Sequence, residues 1–192
     1  MDDVVLDFMN GVLASFEREF DIRLPYGGDP WNIPDLVKHP VLVAAGYEDW
    51  WAWLRDREWL WATFSSVPGA IGGIKKLRQS GHYVECVTSK PEWAEHNVWK
   101  WLGKWRPPFN RVTITSPGVP KLSATDAKLI IDDRLETCLD FVNAGRWAIF
   151  FNRAVQPRRL PKVPSPEKLL QARSWAGVLR AVDRAVQKDG AP

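Results

Sequence analysis

From Pro68 onward the chain alternates short apolar runs with amphipathic stretches, and this alternation limits its possible folds more than any other feature. Pro68-Gly69-Ala70 opens a helix through Arg78 that Gly81 ends, residues 83–87 read as a strand whose end carries Thr88-Ser89, and a helix spans 92–104 until Pro107-Pro108 stop it. Strands are predicted at 111–115, 128–131 and 147–151, with a helix at 136–144 between the last two. A Pro- and Arg-rich loop, 156–166, leads to a final helix over 174–187. Ahead of all these, Val4-Val5-Leu6 reads as a short buried first strand, followed by a turn and a helix at 11–20. Repeated strand-helix-strand order with right-handed crossovers implies an α/β protein with a doubly wound parallel sheet.

Residues 21–65 break the pattern. Pro25, Gly27, Gly28, Pro30, Pro34 and Pro40 interrupt the first half, and Trp50, Trp51, Trp53, Trp59 and Trp61 crowd the second. The expected organisation is therefore a core domain of 1–20 and 66–192, with 21–65 inserted as a small helical, Trp-rich cap. Large rings suit the core of such a cap, and one or two could instead stack on a ligand or face a protein partner.

At 192 residues the chain is long enough to bury a sizeable core. Its 26 basic and 23 acidic residues leave a net charge of +3, which gives no argument for nucleic acid. No apolar run approaches the roughly 20 residues of a membrane span, and Met1-Asp2-Asp3 is unlike a basic, hydrophobic leader. With Cys86 and Cys138 in apolar stretches, the expectation is a soluble, cytoplasmic protein with no membrane partner. Neither cysteine reads as catalytic, and His39, His82 and His96 show no metal-ligand spacing.

The chemistry concentrates at predicted strand ends, where open α/β sheets bind their ligands. Leu129-Ile130-Ile131-Asp132-Asp133 delivers two adjacent carboxylates, which repel unless a cation or proton lies between them. A hard divalent ion such as Mg²⁺ supplies that cation. Asp7, Thr88, Ser89 and Lys121 fall at the same edge. A carboxylate nucleophile, hydroxyls and a lysine for phosphate oxygens, and acids for a metal make a phosphoryl-transfer set. Each has an ordinary reading too: Thr88 and Ser89 as helix caps before Pro91, Lys121 as a solvated lysine.

In these motifs the chain resembles the haloacid dehalogenase-like hydrolases, and within them the 5′-deoxyribonucleotidases. Gly11-Val12-Leu13-Ala14-Ser15-Phe16 is similar to the end of that family's first motif, Asp-x-Asp-Gly-Val-Leu-Ala-Asp-Phe. Val67-Pro68-Gly69-Ala70 with Leu77 and Gly81, then Val87-Thr88-Ser89, then Ile131-Asp132-Asp133-Arg134 and finally Ser174-Trp175 resemble later motifs in the family's order. The resemblance implies a Rossmann-type core with a cap, and Mg²⁺-dependent hydrolysis of a phosphomonoester, foremost a (deoxy)nucleoside 5′-monophosphate. By the same resemblance Asp7 attacks phosphorus, Asp7, Asp132 and Asp133 hold the metal, and Thr88, Ser89 and Lys121 bind phosphate.

The first motif departs from the family. Aligned on Gly11 without a gap, the nucleophile position falls on Phe8 and the second acid on Asn10; with one extra residue, Asp7 becomes the nucleophile and the second acid is still absent. Asn10 donates a hydrogen bond but exchanges no proton at neutral pH. The rival expectation is accordingly an impaired or inactive relative that uses the fold and the cap as a protein- or nucleotide-binding module.

Overall fold

The computed structural model describes residues 1–24, 34–37, 39–153 and 160–189. Pro25, Gly27, Gly28 and Pro30, and the 156–159 part of the Pro- and Arg-rich loop, lie outside them.

Helix α1 (Phe8–Phe20) buries Phe8, Met9, Val12 and Phe16 at helical spacing. Short helices follow: α2 (Pro34–Val37), α3 (Pro40–Ala44), α4 (Trp50–Arg55) and α5 (Leu60–Thr63). Asp49 caps α4 by accepting from the Ala52 N–H at 2.9 Å, and His39 Nδ1 accepts from the Val41 N–H at the start of α3. That gives this histidine a structural part.

Next come α6 (Ala70–Gln79), β1 (Glu85–Ser89), α7 (Glu92–Trp105), β2 (Arg111–Thr115), β3 (Leu129–Asp132), α8 (Leu135–Asn143) and β4 (Trp147–Phe151). They match the predicted order within a few residues at each end. The chain closes with β5 (Leu169–Ala172) and α9 (Trp175–Asp189). The strand β5 was not predicted, because Leu169-Leu170-Gln171-Ala172 is short and two of its four residues are poor strand formers.

Among the described residues the named strands all pair in parallel, and one isolated antiparallel bridge joins Leu6 to Ser66. β1 pairs with β2 from Glu85↔Arg111 to Ser89↔Thr115, and β4 lies between β3 and β5. Every residue of β4 is buried. Its Ala148 and Phe150 meet Cys138, Phe141 and Val142 of α8, while Ile149 and Phe151 join a second cluster with Val178 and Val182 of α9. Helices thus cover both faces, the doubly wound α/β arrangement expected from the sequence.

The predicted first strand is absent. Val4, Val5 and Leu6 are buried but coiled: the Val5 and Leu6 N–H groups both donate to the Met1 carbonyl (2.8 and 3.1 Å), and Asp3 N–H donates to the Leu6 carbonyl at 2.7 Å. Asp3 takes φ +50°, a left-handed conformation that Asp tolerates better than most side chains. Three apolar residues in a row read equally as strand or as buried turn, and here the coil wins.

The buried Leu36, Leu42, Trp53, Leu54, Leu60 and Trp61 pack into the same apolar cluster as α1, α6 and α7. Trp53 meets Phe16 edge-on at 5.8 Å and Phe20 at 6.3 Å. Trp101 and Trp105, a turn apart on α7, both donate an indole N–H to the Phe64 carbonyl. Among the described residues no helix is long and apolar enough to cross a membrane.

Candidate functional site at the carboxyl ends of the strands

β1 and β3 end on opposite sides of the tightly coiled amino terminus, and the charged groups at their ends meet through it. Lys121 begins a 3-10 turn, Lys121–Ala124, that precedes β3. Its Nζ donates to Asp132 Oδ2 at 2.5 Å, and both side chains are largely buried. Burial works to lower the Lys121 pKa, but the Asp132 carboxylate, with Asp133 and Asp2 behind it, outweighs burial and raises it. The ammonium stays charged inside the fold. Asp132 Oδ1 also accepts from the Arg134 N–H at 3.0 Å.

On the β1 side Thr88 is buried, and Ser89 Oγ donates to the Ser116 carbonyl at 2.9 Å. Neither caps α7, whose first turn follows Pro91. The next residue, Lys90, is 4 % exposed; its Nζ pairs with Asp2 and lies 5.6 Å from the Trp61 ring. The other Asp2 oxygen, Oδ1, is buried with no hydrogen-bond partner among the described residues.

Asp3 is 3 % exposed and accepts from the Met9 N–H at 3.2 Å and from Arg153 Nη2 at 2.9 Å. Burial first, then the Asp133 and Asp2 carboxylates, push its pKa well above the usual carboxylate value, against the opposing pull of Arg153. Arg153 follows the end of β4 and also donates to Asp7 Oδ1 at 2.7 Å. Asp7 has both oxygens engaged, since Asn10 Nδ2 donates to each at 2.9 and 3.0 Å.

The structure therefore brings Lys121, Asp132 and Asp133 together with Asp2, and it reaches Asp7 only through Arg153 and Asp3. Asp2, Asp3, Lys90 and Arg153 were not singled out from sequence. Two signals for them exist: adjacent acids at Asp2-Asp3 repeat the Asp132-Asp133 pattern, and Lys90 directly follows a strand-end Thr-Ser pair. The cysteines are as expected, both free and buried, with burial raising their thiol pKa values and keeping them from acting as thiolates.

Among the described residues no three His, Cys, Asp or Glu side chains converge to form a closed metal cage. The donor chemistry nonetheless suits Mg²⁺, which uses one or two protein carboxylates and completes its shell with water and phosphate. The orphaned Asp2 Oδ1 is the kind of buried acceptor such an ion satisfies. Asp133, buried and close enough to raise the Asp3 pKa, is a second carboxylate beside it.

The chain is similar in structure to an L-2-haloacid dehalogenase, with a TM-score of 0.59 and 11% identity over 95% of this chain and 96% of that one. A haloacid dehalogenase-like family hydrolase from Xanthomonas campestris is 18% identical, with a TM-score of 0.43 over 95% of this chain and 80% of the other. No family model and no curated protein matches. The first similarity shows a shared Rossmann-type α/β fold, and residue roles have to be argued from the site itself.

Proposed function

We propose that this edge of the sheet binds and hydrolyses a phosphomonoester with the help of Mg²⁺, and that the substrate is a (deoxy)nucleoside 5′-monophosphate. The observation that carries the reading is a pair of lysines, the buried Lys90 and the largely buried Lys121, each held on a carboxylate beside the ends of β1 and β3. Buried ammonium groups are costly, and a site that exchanges their carboxylate partners for phosphoryl oxygens gives them a use beyond stability.

In this reading Lys90, Lys121, Thr88 and Ser89 face the phosphoryl oxygens. Asp2 and Asp133 would hold the metal, with Asp132 supporting it, and the ion would supply positive charge to those oxygens. Asp7 is the proposed nucleophile. Movement of Arg153 from Asp7 to the incoming phosphate would free its Oδ1 of the charged donor. Asn10 cannot transfer a proton, so turnover in this reading is slow by roughly 10²- to 10⁴-fold against a site with a second acid.

The base preference rests on the aromatic side chains. Trp50 and Trp51 lie 4.3 Å apart, Trp51 stacks towards Trp61 at 6.2 Å, and Trp93 meets Trp61 edge-on at 5.3 Å. This series runs from the exposed Trp51 ring to Lys90, so a ligand with its phosphate at Lys90 has a π-surface beside it. One observation favours the rival reading as a binding module: Asp7 is already held by Arg153 and Asn10, which weakens it as a nucleophile.

A fluorescence titration tests the shared part of both readings. A nucleoside 5′-monophosphate should quench tryptophan emission at concentrations where ribose 5-phosphate does not, because base stacking is worth about 1–3 kcal/mol. Equal affinity for both, with no quenching, would keep the phosphate site and remove the nucleotide. Binding of neither would remove the phosphate site.

A further inference from the structure

The sheet of this protein is split. β1 pairs only with β2, and β3 pairs only with β4, so among the described residues the inner edges of β1 and β3 have no strand partner. Between them lies a cavity of about 940 Å³. Val87 of β1 and Ile131 of β3 line two sides of it, and Ile74 of α6 and Val182 of α9 line it as well. Leu129, Ile130 and Ile131 are only half-buried, although they neighbour the fully buried β4. A central strand left half-uncovered by its own fold is missing a neighbour.

The two half-sheets wind outward from this gap. With Val87 and Ile131 both lining the cavity, the gap falls between the pair β2–β1 and the three strands β3–β4–β5. A doubly wound sheet with strand order 3-2-1-4-5-6 has its first strand in the place of the gap. A small-molecule pocket fits the position poorly, since ligands of such sheets bind beyond the strand ends and this cavity lies level with the strands.

We propose that the gap is the seat of a β-strand, extended and apolar, running parallel to β1 and β3 and joined at its carboxyl end to Met1. β1 has five residues and β3 four, so the strand spans four or five residues, roughly 13–17 Å. Its source follows from where Met1 sits. Met1 lines the cavity and is 6% exposed, while the next residue, Asp2, pairs with Lys90 just past the end of β1. The chain at Met1 therefore stands at the carboxyl end of the gap, in the direction that a parallel strand would leave it. Such a strand joins the half-sheets into one and brings its last residue to the edge shared by Asp2 and Asp132. The inference stands on the split sheet and holds whether or not the phosphate reading does.

The test compares the chain as it is with two forms lengthened at Met1, one by five β-branched apolar residues and one by five Gly/Ser residues. Amide hydrogen exchange, thermal melting and sedimentation are measured on all three. The strand form should melt several degrees higher and slow exchange of the Val87 and Ile131 amides by at least about ten-fold, whereas the Gly/Ser form should match the unlengthened chain. Should the lengthened strand form fail to fold, the same five-residue peptide added in trans to the unlengthened chain should give the same protection. No difference between strand and Gly/Ser forms, with no effect of the peptide, overturns the proposal. So does an unlengthened chain that sediments as a dimer with Val87 and Ile131 already protected, because a second copy then fills the gap.

Discussion

Asp3 shows how one side chain can record the tension in the site. It is buried, it faces Asp133 and Asp2, and its stabilising partners are Arg153 and the Met9 N–H. Because its pKa is raised in the fold, the folded chain keeps a proton on Asp3 at pH values where the unfolded chain has lost it. Its contribution is full below the ordinary carboxylate range and is lost as pH rises towards the raised value. Asp3→Asn keeps an acceptor for Met9 and removes the charge. Urea midpoints at about pH 5 and about pH 8 should therefore fall less in the variant than in the parent; equal declines would show that Asp3 is not the group responsible.

At the scale of elements, close packing explains which sequence signals were legible. A Cβ on Gly73 of α6 would lie 2.3 Å from the Trp175 ring, and Trp175 in turn donates its indole N–H to the Val4 carbonyl at 2.7 Å. Small residues let α6 approach α9, and that close approach cannot be foreseen from periodicity. The helices α1, α6, α7, α8 and α9 were legible because their apolar spacing and breakers agree. β5 was missed, and Val4–Leu6 was misread as strand because an apolar triplet carries no period. Large rings were expected to fill the cap's core, though not which of them, and Trp53 is one that does, fully buried. Trp53→Ala should cost about 3–5 kcal/mol in chemical denaturation. Trp51→Ala, at a ring 40% exposed, should cost clearly less than that. A reversed ranking would remove the assignment of Trp53 to the structure and Trp51 to the surface.

For the whole molecule, the acids and cations contributed by distant parts of the sequence are the feature to explain. Asp132, Asp133 and Lys121 could be picked out because an apolar strand points to them. Asp2, Asp3 and Lys90 carry only weak local signals and Arg153 none, since their importance comes from the coil at Met1 and the meeting of the two half-sheets. The fold thus gathers a set of charged groups that local pattern leaves scattered. The proposed phosphate site would use that set, with its two lysines facing the phosphoryl oxygens.

The direct measurement is release of inorganic phosphate from nucleoside 5′-monophosphates, with and without Mg²⁺, by the parent chain, Lys121→Met and Asp2→Asn. Lys121→Met leaves Asp132 buried without its cation, so it should also lose about 3–5 kcal/mol of stability, and activity is compared below its melting range. The account predicts Mg²⁺-dependent release by the parent and, in Asp2→Asn at limiting Mg²⁺, release weaker by at least about ten-fold because a protein ligand of the ion is lost. Release that is unchanged in both variants, or no release by a parent that also fails to bind phosphate, would contradict it.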